Sequence, residues 1–170
     1  SAMINWIFYP KAKRPPLIAR KIVKVFERAA NTIDSRSYEL TSNEVLHLLS
    51  GGLQEIGFKV EQGKTKEHRI NVPVLFGRGG KVEKAFQADA YNEEEGVVVE
   101  VEAGRGVLNY QFLKDIFEAC MMSDVRYATI AVRNTYKRSS DFEIVSTFFE
   151  TLYVSNRLRL PLDSVLVIGY

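Results

Sequence analysis

The stretch Val97-Val98-Val99-Glu100-Val101-Glu102-Ala103 constrains this chain more than any other. Successive side chains of a strand point to opposite faces, so Val97, Val99, Val101 and Ala103 share one face while Glu100 and Glu102 share the other. A valine-rich strand of this kind suits the middle of a sheet covered on both sides. Two carboxylates on one covered face are costly unless a cation or hydrogen-bond donors meet them.

The strand before it repeats the pattern. Phe86, Ala88 and Ala90 fall on one face, and Gln87, Asp89 and Tyr91 on the other. If the two strands pair through the short acidic connection Asn92-Glu93-Glu94-Glu95-Gly96, Asp89 comes opposite the neighbourhood of Glu100. Three carboxylates then converge on one cation. Hard oxygen ligands with open coordination positions suit Mg²⁺ or Mn²⁺, whereas zinc favours His and Cys, of which the chain has two and one. An ion so held polarises a phosphate and activates water, which is the chemistry of phosphodiester hydrolysis. The competing reading makes Glu100 and Glu102 the solvated stripe of an amphipathic edge strand, paired with Lys or Arg.

With 170 residues and 46% hydrophobic content the chain suffices for one core, and residues 1–170 are expected to form a single domain. The 23 basic and 21 acidic residues leave a net charge of +2, so any basic surface must come from local clustering. Cys120 is the only cysteine, which excludes an intrachain disulfide and a thiolate-rich zinc site and suits a cytoplasmic protein. No apolar run is long enough for a membrane span or a signal segment, so a soluble protein is expected. Ser1 to Met3 read as a cloning scar.

Pro10 to Pro16 form an extended lead-in, followed by an amphipathic helix from Leu17 to about Ala30 with Arg20, Lys21, Lys24 and Arg28 largely off its apolar side. That basic face can meet phosphates or simply be solvated. A second helix opens at Thr41 or Ser42, with Glu44 in its first turn, and ends at Gly57. Strands are expected over Phe58–Glu61, Arg69–Phe76, Lys84–Tyr91 and Gly96–Ala103. A helix from Leu108 to Met122 follows, with Leu113, Ile116, Phe117 and Met121 as its core face. Then come a strand Tyr127–Val132, a basic loop, a helix Phe142–Tyr153 and a strand Ser164–Ile168. The glycines of Gly77-Arg78-Gly79-Gly80 mark a hairpin turn, because Lys81 is followed by Val82 and no helix pattern follows, as a phosphate-binding loop would require.

Asp89 followed eleven residues later by Glu100-Val101-Glu102 resembles the catalytic signature of the PD-(D/E)xK nuclease superfamily. The resemblance implies an α/β, restriction-endonuclease-like fold whose core, residues 41 to 133, is a central mixed sheet flanked by helices, with residues 4 to 34 as an N-terminal extension. It implies Asp89 and Glu100 as metal ligands, Glu102 as a ligand or proton acceptor, and Glu44 as an accessory acid from the first core helix. Ala88 stands where the family often has Pro, and Glu102 where it usually has Lys. The second departure resembles the BamHI-like restriction endonucleases, and Lys84 or Arg105 is then available to supply the missing positive charge. The activity implied is a Mg²⁺- or Mn²⁺-dependent endonuclease acting on DNA in restriction or repair, as a homodimer. The alternatives are a catalytically inactive member of the fold that binds nucleic acid or protein, and a small interaction protein whose acidic strand faces solvent.

For contacts to phosphate, Arg133, Lys137 and Arg138 lie in a donor-rich loop with Asn134, Tyr136, Ser139 and Ser140, and Lys64 and Lys66 form a second cluster with His68 and Arg69. A third is Lys11, Lys13 and Arg14. His47 and His68 lack metal-ligand spacing and read as surface or packing residues.

Overall fold

The computed structural model describes residues 3–63, 69–104, 107 and 109–170. In chain order it runs β1 (Asn5–Tyr9), α1 (Leu17–Ile33), α2 (Ser42–Glu55), β2 (Lys59–Val60), β3 (Ile70–Phe76), β4 (Val82–Ala88), β5 (Ala90–Asn92), β6 (Val97–Val101), α3 (Gln111–Met121), β7 (Tyr127–Val132), α4 (Asp141–Ser155) and β8 (Ser164–Gly169). Six strands form one mixed sheet in the order β1-β8-β7-β6-β5-β2, and β3 and β4 form a separate two-stranded ribbon. The pairs β6–β7 and β7–β8 are parallel, and the remaining neighbours in the six-stranded sheet are antiparallel.

The alternation along β6 decides how the layers stack. Val97, Val99 and Val101 enter one core with Ile22 and Phe26 of α1 and Leu49 and Leu53 of α2. Val98 enters the other, with Phe112 and Ile116 of α3 and Val145 and Phe149 of α4. Helices therefore cover both faces of the sheet, which is why β6 reads as almost unbroken valine. Burying each such large apolar side chain contributes roughly 1.5–3 kcal/mol. Glu100 and Glu102 share a face with Val98, so they look toward α3.

Several boundaries differ from those read from the sequence. The single strand expected over Lys84–Tyr91 is two, β4 and β5, broken by a bend at Asp89. β1 was not foreseen, and pairs antiparallel with β8 from Asn5↔Gly169 to Tyr9↔Val165. Helix α3 begins at Gln111 and turns Phe112, Asp115, Ile116 and Ala119 inward, leaving Phe117 and Met121 half exposed where a core face was expected. The amphipathic α1 extends to Ile33, and its exposed Arg20, Lys21, Lys24 and Arg28 belong to the layer opposite α3.

Candidate active site

Asp89 sits where β4 leaves the main sheet and β5 joins it. Its backbone carbonyl accepts from Glu61 N–H at 2.8 Å, and its Oδ2 accepts from Val101 N–H at 2.7 Å. The β5–β6 ladder ends at Ala90↔Val99, so just beyond it the aspartate side chain serves the Val101 amide in place of a strand carbonyl. Glu100 and Glu102 follow from β6, with Glu102 N–H donating to Ala131 O at 2.8 Å. The Tyr170 hydroxyl donates to Glu102 O at 2.7 Å, tying the end of β6 to the residue after β8.

These acids line a cleft of about 420 Å³ together with Gln87, Gln111, Lys114 and Asp115. Asp115, from α3, is the acid the sequence reading missed. It is buried, its Oδ1 accepts from Gln111 Nε2 at 3.1 Å, and its Oδ2 has no hydrogen-bond partner among the described residues. A signal was present in the sequence: Gln111, Lys114, Asp115 and Glu118 recur at helical spacing and form one polar stripe, now the cleft's third side.

Burial in the cleft raises the pKa values of Asp89, Glu100 and Glu102. Desolvation dominates at Asp89, pushed up to about 7 although the Val101 amide pulls it down. At Glu100 desolvation is followed by the charges of Asp89 and Asp115, and its carboxyl is held well above the usual range. Glu102 rises by desolvation and by hydrogen bonding with Asp115, with Lys114 opposing. Glu100 thus feels Asp89 and Asp115, and Glu102 feels Asp115 and Asp89, as like charges gathered around one cleft. Among the described residues, no three His, Cys, Asp or Glu side chains stand as a formed ion cage.

The donor set nevertheless fits a hard divalent cation. It is all oxygen, and among the described residues Asp115 Oδ2 is buried with no donor and Lys114 is the one basic residue lining the cleft. A cation bound among these acids would offset the repulsion between their like charges.

Other residues singled out from the sequence lie elsewhere. Glu44 is exposed in the first turn of α2, where its N–H donates to Thr41 Oγ1 and its carboxylate accepts from the Thr41 hydroxyl, both at 3.2 Å. It serves the N-cap of α2, where Thr41 Oγ1 accepts from the Glu44 N–H, and Ser42 of the same turn lines the cleft instead. Arg133 is only 7% exposed, donates to Leu40 O and lies 5.1 Å from the Tyr136 ring. Its guanidinium is engaged inside the protein, which removes it from the phosphate-contacting set. Lys137 and Arg138 are exposed on the same loop, which packs the Tyr136 ring against Gly104, two residues beyond Glu102. Lys84 Nζ lies over the Phe86 ring on the ribbon. Lys64, Lys66, His68 and Arg105 fall outside the described residues.

No family model and no curated protein matches the chain. Among solved structures it is similar to the crystal structure of free BglII, at 13% identity and a TM-score of 0.51, covering 98% of this chain and 78% of that one. At such identity the likeness is one of fold, and the fold it shares is the restriction-endonuclease-like one: a central mixed sheet flanked by helices.

Proposed function

We propose that this chain is a metal-dependent endonuclease that hydrolyses DNA phosphodiester bonds, in restriction or repair. The observation that carries the proposal is the cluster of Asp89, Glu100, Glu102 and Asp115 around one cleft of a restriction-endonuclease-like fold. Asp89 and Glu100 are the ligands for Mg²⁺ or Mn²⁺, and Glu102 is a further ligand or accepts a proton from the attacking water. The bound ion supplies polarisation of the phosphate, a more acidic water and stabilisation of charge on the leaving oxygen.

The remaining residues position and neutralise. Val101 N–H holds the Asp89 carboxylate in place, and Gln111 holds Asp115. Lys114 is placed to provide the positive charge that Glu102 lacks at the position usually held by lysine. Exposed Lys137 and Arg138, near the end of β6, and Lys64 and Lys66 are the proposed phosphate contacts. A homodimer, with one centre for each strand of a duplex, belongs to the same reading.

The test is incubation with supercoiled plasmid and with single-stranded DNA, in Mg²⁺ and in Mn²⁺. Asp89→Asn and Glu100→Gln should each lower cleavage by about 100-fold or more. Cleavage that survives both substitutions unchanged would sink the site.

A second reading, a catalytically inactive member of the fold that binds nucleic acid or protein, draws on Glu102 at the position usually held by lysine and on the upward pKa shifts of Glu100 and Glu102. It calls for an intact plasmid and for binding indifferent to Asp89→Asn.

A further inference from the structure

The ribbon of β3 and β4 leaves the main sheet beside the cleft. Its root is built in, with Val72 and Ala88 buried, while Ala85 and Gln87 line the cleft itself. Its outer end is not: Leu75, Phe76 and Val82 are 57%, 52% and 52% exposed. At roughly 3.3 Å per residue, seven-residue strands make an arm on the order of 20 Å long.

The tip is a closed, fixed turn. Gly77 N–H donates to Lys81 O at 2.7 Å, Gly80 N–H to Gly77 O at 3.1 Å, and Gly79 and Gly80 hold φ of 68° and 74° with open space around them. Charge is concentrated on this arm. Between Arg69 and Ala88 stand Arg69, Arg78, Lys81 and Lys84 against one acid, Glu83, a formal +3 on a chain whose total is +2. A basic projection is thus rooted at the wall of an acidic cleft.

We infer that the β3–β4 ribbon is the arm with which this protein grips duplex DNA beside the cleft, an inference that rests on the nuclease reading for its substrate. Arg78, Lys81 and Lys84 meet phosphates, and the apolar tip residues Leu75 and Phe76 enter a groove. A two-stranded ribbon has the width of the major groove, where apolar side chains pack against thymine methyl groups while flanking basic ones reach phosphates. Single strands would call for several stacking rings, and the exposed tip has one, Phe76. Protein interfaces deplete lysine at their centre, whereas here lysine and arginine interleave with the apolar residues.

The experiment measures binding of the full chain to a short duplex and to the matching single strand by fluorescence anisotropy in EDTA, over a series of salt concentrations. The variants are Arg78→Ala with Lys81→Ala, and Phe76→Ser, each checked for unchanged thermal unfolding. The double variant should reduce the slope of log affinity against log salt for the duplex by about 1.8, two phosphate contacts' worth. Phe76→Ser should weaken duplex binding at every salt concentration and leave that slope alone. Duplex affinity and slope unchanged in the double variant, an equal loss on single strands, or no duplex binding by the wild type would overturn the ribbon's role. Plasmid cutting judges the nuclease reading separately. Cutting that depends on Asp89 but not on the ribbon keeps the enzyme and removes the arm, and duplex gripping through the ribbon without cutting does the reverse.

Discussion

Asp89 carries its carboxyl on the cleft wall with a pKa pushed up to about 7, and Glu100 and Glu102 shift in the same direction. Between about pH 4 and about pH 7 the folded chain therefore binds more protons than the unfolded one, and stability falls as pH rises through that window. Metal-free protein should show a urea midpoint that drops from about pH 5 to about pH 8, on the scale of a few kcal/mol. Asp89→Asn should flatten the dependence, and Mg²⁺ should restore the midpoint at the alkaline end. A midpoint independent of pH in the wild type would contradict the clustering. Asp89, Glu100 and Glu102 are readable from sequence because strand alternation is a rule of two. The polar stripe that holds Asp115 is visible too, but its direction is not, because nothing local says how α3 is rotated over the sheet. The inward turn of its polar stripe is a tertiary outcome that displaced Phe117 and Met121 from the core.

At the level of elements, the main surprise is the break at Asp89. Alternation runs from Phe86 to Tyr91 straight through Asp89, so the sequence shows one strand. The structure bends there because the aspartate side chain takes the Val101 amide and β4 turns away to pair with β3. The connection from β5 to β6 was more visible, and its chemistry explains why. Asn92 donates to Ile56 O at 3.2 Å and accepts from Glu95 N–H at 2.9 Å, and Gly96 closes the turn at φ 68°. A Cβ on Gly96 would come within 2.6 Å of Asp124 O. Gly96→Ala should therefore cost at least about 1 kcal/mol and lower the melting temperature by about 2–4 °C or more. Unchanged melting would show that the turn can relax. The short β2 was foreseen, but β1 was not, because Asn5 to Tyr9 lacks alternation and draws its identity from β8.

Across the whole molecule, charge is sorted by layer and by projection. The acidic cleft lies on the α3 side of the sheet, the basic helix face of α1 on the other, and the ribbon carries its own excess. This separation disqualifies α1 as a contact to a phosphate held in the cleft, although the sequence left that choice open. The pairing of β1 with β8 has a mechanical consequence. These strands run antiparallel with Asn5 beside Gly169, so force applied through those two residues acts across the strands and opens their hydrogen bonds one after another instead of shearing them together. Under an optical trap gripping the chain at its two ends, β1 should peel away at low force as a first step. The same event pulls at Tyr170, whose hydroxyl holds the carbonyl of Glu102, so tension at the termini reaches the cleft before the rest of the sheet gives way.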